Sequence, residues 1–91
     1  MPGRNWSVEL SKSALRSLER LPESGTRRIL DRLERLGESA NPLLHKDVRA
    51  LEGKLKSFYR IRVGEYRVIF ELDRKNKRIG VLAIAGRGNA Y

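Results

Sequence analysis

The pattern of apolar and polar positions divides the chain into a helical first half and an extended second half. Residues 6–10 alternate, with Trp6, Val8 and Leu10 apolar and Ser7 and Glu9 between them. That period of two predicts a half-buried strand. Ser11 then offers a side-chain cap for a helix. Ala14, Leu15, Leu18 and Leu21 recur at helical spacing, with Lys12, Arg16, Glu19 and Arg20 around the rest. Pro22 interrupts, and proline is tolerated in the first turn of a following helix. Ile29, Leu30, Leu33 and Leu36 form the stripe of that second helix, and Gly37 marks its expected end. The short break predicts a helical hairpin.

Residues 38–52 read as a connection punctuated by Asn41-Pro42. It is long for a structureless segment, so Leu43, Leu44, Val48 and Leu51 are expected to pin it to the core. From Gly53 onward the period becomes two again. Leu55, Ser57, Tyr59, Ile61 and Val63 share one face, and Lys54, Lys56, Phe58, Arg60 and Arg62 share the other. Gly64-Glu65 suits a tight hairpin turn. The next strand puts Tyr66, Val68, Phe70 and Leu72 on one side, and Arg67, Ile69, Glu71 and Asp73 on the other. A polar turn over 73–78 follows, with Asn76 suited to a left-handed conformation. Residues 79–85, IGVLAIA, are apolar on both faces and fit a central strand. The resulting fold class is α+β. A two-helix hairpin packs on one face of a twisted, mainly antiparallel four-stranded sheet, in the order β-α-α-β-β-β.

Composition bounds the function without naming it. A chain of 91 residues is one domain, 1–91, with a thin core. Lys and Arg number 20 against 11 Asp and Glu, a net charge of +9 that suggests a polyanion partner. The excess is uneven. Residues 1–44 carry eight basic and six acidic side chains, and residues 45–91 carry twelve and five. There is no cysteine and a single histidine, which excludes disulfides, thiolate zinc sites and any pair of imidazoles. No apolar run is long enough to cross a bilayer and no signal peptide is evident, so the expectation is a cytoplasmic protein with no membrane partner.

Period two aligns Lys54, Lys56, Arg60 and Arg62, and pairing across the hairpin would add Arg67. Arg87 follows the last strand and could close the same surface. Such a row fits a solvated basic face or a phosphate-binding face equally well. Phe58 tips the balance toward the second, because an aromatic among cations can stack a base. The helix arginines (Arg16, Arg20, Arg27, Arg28, Arg32, Arg35) are interleaved with acids and read as solvated faces with i,i+4 pairs. His45 reads as non-catalytic, Trp6 and Tyr59 as core, and Tyr91 by itself as a frayed terminus.

VELSKSALRSLERLP, LEGKLKSFYRIRVGEYRVIFELD and VLAIAGRGNAY, in that order and spacing, resemble the RelE/ParE superfamily of small toxins on the RelE side. The resemblance runs from about Trp6 to Tyr91. It implies the toxin of a type II toxin–antitoxin system, a ribosome-dependent endonuclease of mRNA. In that chemistry the ribose 2′-hydroxyl attacks the adjacent phosphodiester, leaving a 2′,3′-cyclic phosphate and a 5′-hydroxyl, with no metal and no cofactor. The resemblance assigns catalysis to Arg60, Arg62, Arg67, Arg87 and Tyr91, and periodicity adds Lys54, Lys56 and Phe58 as RNA-binding residues. It implies a RelB-like antitoxin, the ribosome and mRNA as partners. Ala85 and Gly86 precede Arg87 where many relatives carry histidine or lysine. The superfamily also contains ParE-like inhibitors of DNA gyrase that are not nucleases, and composition alone would equally fit a non-catalytic RNA-binding domain.

Overall fold

The structure, a computed structural model, describes residues 5–51 and 58–86. The elements run β1 (Ser7–Leu10), α1 (Lys12–Arg20), α2 (Glu23–Glu38), a single 3-10 turn (Pro42–Leu44), β2 (Val48–Ala50), β3 (Phe58–Val63), β4 (Tyr66–Asp73) and β5 (Arg78–Ala85). They build one five-stranded sheet in the spatial order β1-β5-β4-β3-β2. β1 runs parallel to β5, and the other neighbours are antiparallel. The sheet therefore has one strand more than the four expected. The fifth is β2, inside the connection over 38–52, where three residues are too short to display a period.

Ser11 starts α1 as expected. Its Oγ accepts from the Ala14 N–H at 3.0 Å and donates to the Leu82 carbonyl at 2.9 Å, so the cap also fastens the helix to β5. Pro22 is the residue before α2, and Thr26 Oγ1 donates to the Leu18 carbonyl at 2.9 Å across the corner. α2 does not stop at Gly37 but continues to Glu38. The lead-in to β1 satisfies its last carbonyls instead. The Trp6 N–H donates to Gly37 at 2.8 Å, and Asn5 Nδ2 donates to Glu38 at 2.8 Å.

Ala14, Leu18, Ile29, Leu33 and Leu36 from the helices pack on Ile61, Val63, Val68, Phe70, Ile79, Val81 and Ile84 from the sheet, with Trp6 at one end. The rings of Tyr59 and Phe70 lie 5.8 Å apart in this layer. Leu15 and Leu30, placed in the helical stripes by spacing, are instead 48% and 45% exposed at the stripe margins. Leu44 is 80% exposed, because the turn buries Pro42 in its place. The left-handed residue of the β4–β5 turn is Lys77 (φ 55°), not Asn76. Asn76 is held by Asp73, whose carboxylate accepts from its N–H at 3.1 Å and its side-chain amide at 2.8 Å. Lys77 thereby places its Nζ 4.8 Å from the centre of the Trp6 ring.

The two-sided apolar character of IGVLAIA has a local cause. Phe70 pairs with Val81 but Ile69 pairs with Ala83, which leaves Leu82 as an extra residue on β5. The bulge shifts the alternation by one. Val81 and Ile84, three residues apart, consequently both face the helices.

Candidate nucleic-acid interface

The face of the sheet away from the helices is fixed by register. Arg62 lies directly opposite Arg67, and Arg60 directly opposite Ile69. On the other side of β3, Arg49 of β2 lies directly opposite Arg60. Opposed residues of an antiparallel pair point to the same side with Cβ atoms about 4.5–5.5 Å apart. Four guanidinium groups from three adjacent strands thus share one surface. The alternating partners Ile61, Val63 and Val68 are buried on the other side, which prevents a one-residue slip from turning the arginines inward. Two glycines shape the support. Gly64 takes φ 60° at the first position of the two-residue turn between β3 and β4. Gly25 lets α2 approach β4, where a Cβ would stand 2.7 Å from the Tyr66 hydroxyl.

Four arginines elsewhere in the molecule are neutralised by carboxylates, while Arg16, Arg20, Arg28 and Arg74 have no carboxylate partner among the described residues. Arg27, Arg32, Arg35 and Arg78 pair with Glu23, Asp47, Asp31, and Glu9 with Asp73, respectively. Among the described residues, Arg49, Arg60, Arg62 and Arg67 have no carboxylate partner. Like charges directly opposed on a sheet are destabilising. Two such pairs side by side make a face whose charge an external anion would neutralise.

Arg49, Arg60 and Arg62, with Lys46 and Asp47, line a polar cleft of about 180 Å³. Its one carboxylate is engaged from behind, since Arg32 of α2 donates to Asp47 Oδ2 at 3.2 Å. A larger hollow of about 440 Å³ lies along α2, but Glu23, Asp31 and Glu34 line it, which does not suit a polyanion. Phe58 is on the arginine face, opposite Glu71. It stands four residues from Arg62, about 13 Å along the strand, so it does not converge with the Arg62–Arg67 pair. His45 has a structural contact, its Nδ1 accepting from the Asp47 N–H at 3.0 Å. Lys54, Lys56, Arg87 and Tyr91 lie outside the described residues. Arg49 was not singled out from the sequence. Its only signal there was one basic residue beside an isolated Val48.

Residues 8–91 match the family model described as the ParE toxin of the type II toxin–antitoxin system parDE. The chain belongs to the RelE/ParE superfamily of toxins. Its similarity to RelE proteins is closer than fold alone. A chain of the archaeal RelE–RelB complex from Pyrococcus horikoshii OT3 is 34% identical, with 94% of this chain and 99% of that chain covered and a TM-score of 0.76. The protein named RelE1 in Methanocaldococcus jannaschii is 29% identical over 86 residues, 94% of each chain. The isolated Escherichia coli RelE toxin shares the fold at 15% identity, with 93% of this chain and 87% of that one covered and a TM-score of 0.74. This RelE-like toxin therefore presents the arginines of β2, β3 and β4 on the open side of its superfamily's sheet.

Proposed function

We propose that this toxin is a metal-independent endoribonuclease that cuts mRNA on the ribosome. The observation that carries the reading is the Arg62–Arg67 pair, opposed across β3 and β4, exposed, and without a carboxylate among the described residues. Attack of a 2′-hydroxyl on the neighbouring phosphodiester passes through a phosphorane with added negative charge on its non-bridging oxygens. Guanidinium forks meet two such oxygens at once. Arg67, helped by Arg60 or Arg62, is the clamp for that charge, and the direct opposition of Arg62 to Arg67 favours Arg62. Arg87 donates to the leaving 5′-oxygen, and Tyr91 serves as base or as a platform for the neighbouring nucleobase. Tyrosine and arginine have ordinary pKa values of about 10 and above 12, poor for proton transfer near neutrality. The ribosome compensates by orienting the RNA, so that reactive geometry supplies most of the rate.

The partner of the resting toxin is a RelB-like antitoxin, a small acidic protein that wraps the domain and neutralises the basic face. The archaeal relative at 34% identity was solved as a RelE–RelB complex. Arg67→Ala is expected to lower cleavage of translated mRNA by about 10²–10³ and to relieve growth arrest, with the fold intact by circular dichroism. Full cleavage by the folded variant removes the proposal.

The matched family model carries the ParE description, which favours a second reading as a gyrase inhibitor. Supercoiling assays with the purified toxin separate the two. Inhibition of gyrase without mRNA cleavage selects the ParE reading.

A further inference from the structure

Arg49 is held more firmly than an exposed arginine on a three-residue edge strand needs to be. Its Nη1 donates to the carbonyls of Lys46 at 2.9 Å and Val48 at 3.0 Å. These contacts turn one nitrogen of the guanidinium back onto its own strand, and the fork has five N–H donors in all. β2 is in turn fixed to β3 at both ends. The Arg62 N–H donates to the Asp47 carbonyl at 3.2 Å, and the Leu51 N–H donates to Phe58 at 3.0 Å. From behind, Arg32 of α2 grips the Asp47 carboxylate. The result is a tethered cation facing Arg60 across the strand pair and sharing the 180 Å³ cleft with Lys46. A charge on β2 would suffice to blunt the sheet edge against aggregation. Edge protection does not require that the charge face a second arginine over a cleft.

The Arg49–Arg60 pair lies two residues along β3 and one strand across from the Arg62–Arg67 pair, about 8 Å away. That is a separation suited to consecutive phosphates of an extended single strand. We infer that Arg49, with Arg60 and Lys46, forms a second phosphate subsite that holds the phosphodiester next to the scissile one, a role that rests on the nuclease reading above. The cleft is smaller than the roughly 300–1,000 Å³ of sites that enclose a whole small molecule, and it takes a single anionic group. Two adjacent phosphates held in register would fix the sugar between them, which carries the attacking hydroxyl when the second phosphate is on the 5′ side and the leaving oxygen when it is on the 3′ side.

The test uses the purified full chain and short single-stranded 2′-O-methyl RNA, which binds but cannot be cut, with neutral methylphosphonate replacing one linkage at a time. The unmodified toxin should lose affinity at two neighbouring linkages. Arg49→Gln should become insensitive at one of them and stay sensitive at the other. Its plot of log Kd against log salt should be shallower by about 0.7, the contribution of one single-strand phosphate. Arg49→Lys should keep most of the slope, and an unchanged thermal midpoint shows that the variants fold. Unmodified toxin that does not bind the RNA at low salt, or Arg49→Gln with the wild-type slope and the wild-type response at every linkage, overturns the subsite. Cleavage of mRNA on ribosomes by the unmodified toxin is read separately. If it is absent while the linkage pattern appears, the nuclease reading falls and the anion subsite stands. If it is present while the pattern is missing, the subsite alone falls.

Discussion

Arg62 and Arg67 set stability against the proposed function. Their opposition costs folding free energy, because neither has a carboxylate partner among the described residues to offset the other. Arg62→Gln is therefore expected to stabilise the isolated toxin by about 0.2–1 kcal/mol and, on the nuclease proposal, to weaken RNA binding. Urea unfolding at low and high ionic strength checks this, since the gain should shrink as salt screens the pair. Gly25 shows the opposite dependence, on space rather than charge. Adding one methyl there meets the Tyr66 hydroxyl at 2.7 Å and two further ring atoms at 3.0 Å. Gly25→Ala should cost about 1–3 kcal/mol in denaturant melts, and Tyr66→Phe should recover part of the loss by removing the nearest atom. The arginine face was legible in the sequence because period two and a glycine turn set both side and register. Gly25 was not, because a close approach between distant segments leaves no local mark.

The elements differ in how much of their own chemistry places them. α1 is announced by Ser11 and its stripe, yet the same hydroxyl also donates to Leu82, the unpaired residue of the β5 bulge. Ser11→Ala should cost about 1–2 kcal/mol, typical of a lost N-cap, measured by thermal or urea unfolding. A Ser11→Asp variant, which caps but cannot donate, should recover only part of it. The β3–β4 hairpin followed from alternation interrupted by Gly64-Glu65. β2 did not follow from anything local, since three residues offer a single alternation and its strand pairing comes from β3. The helix end at Glu38 failed for a related reason. Glycine is a good terminator, but Asn5 and Trp6 in the lead-in to β1 supplied partners for the exposed carbonyls and α2 continued past Gly37.

For the whole molecule, a thin core makes each large buried side chain weigh heavily. Phe70 is fully buried at the centre of the sheet, and Phe70→Ala should cost about 3–5 kcal/mol, a large fraction of a small domain's stability. Acid sensitivity has an identifiable contributor at the β4–β5 turn. The side-chain amide of Asn76, its backbone N–H and then Arg78 hold the Asp73 carboxyl below the usual carboxylate range, against slight desolvation. A depressed folded pKa means that the stabilisation is present above the unfolded value, about pH 4, and is lost as pH falls through the folded one. Asp73→Asn should therefore flatten the acid limb of a stability profile taken by urea unfolding between about pH 2 and 5. Periodicity and turn chemistry along the chain were enough to determine two helices, the β3–β4 hairpin and a row of cations on one side, because these depend on residues two to four positions apart. Tertiary structure alone decided that β2 joins the sheet, that a bulge reverses the alternation of β5, and that Arg49 comes to face Arg60. Each of those depends on which distant backbone supplies the hydrogen-bond partner, and no local pattern encodes that choice.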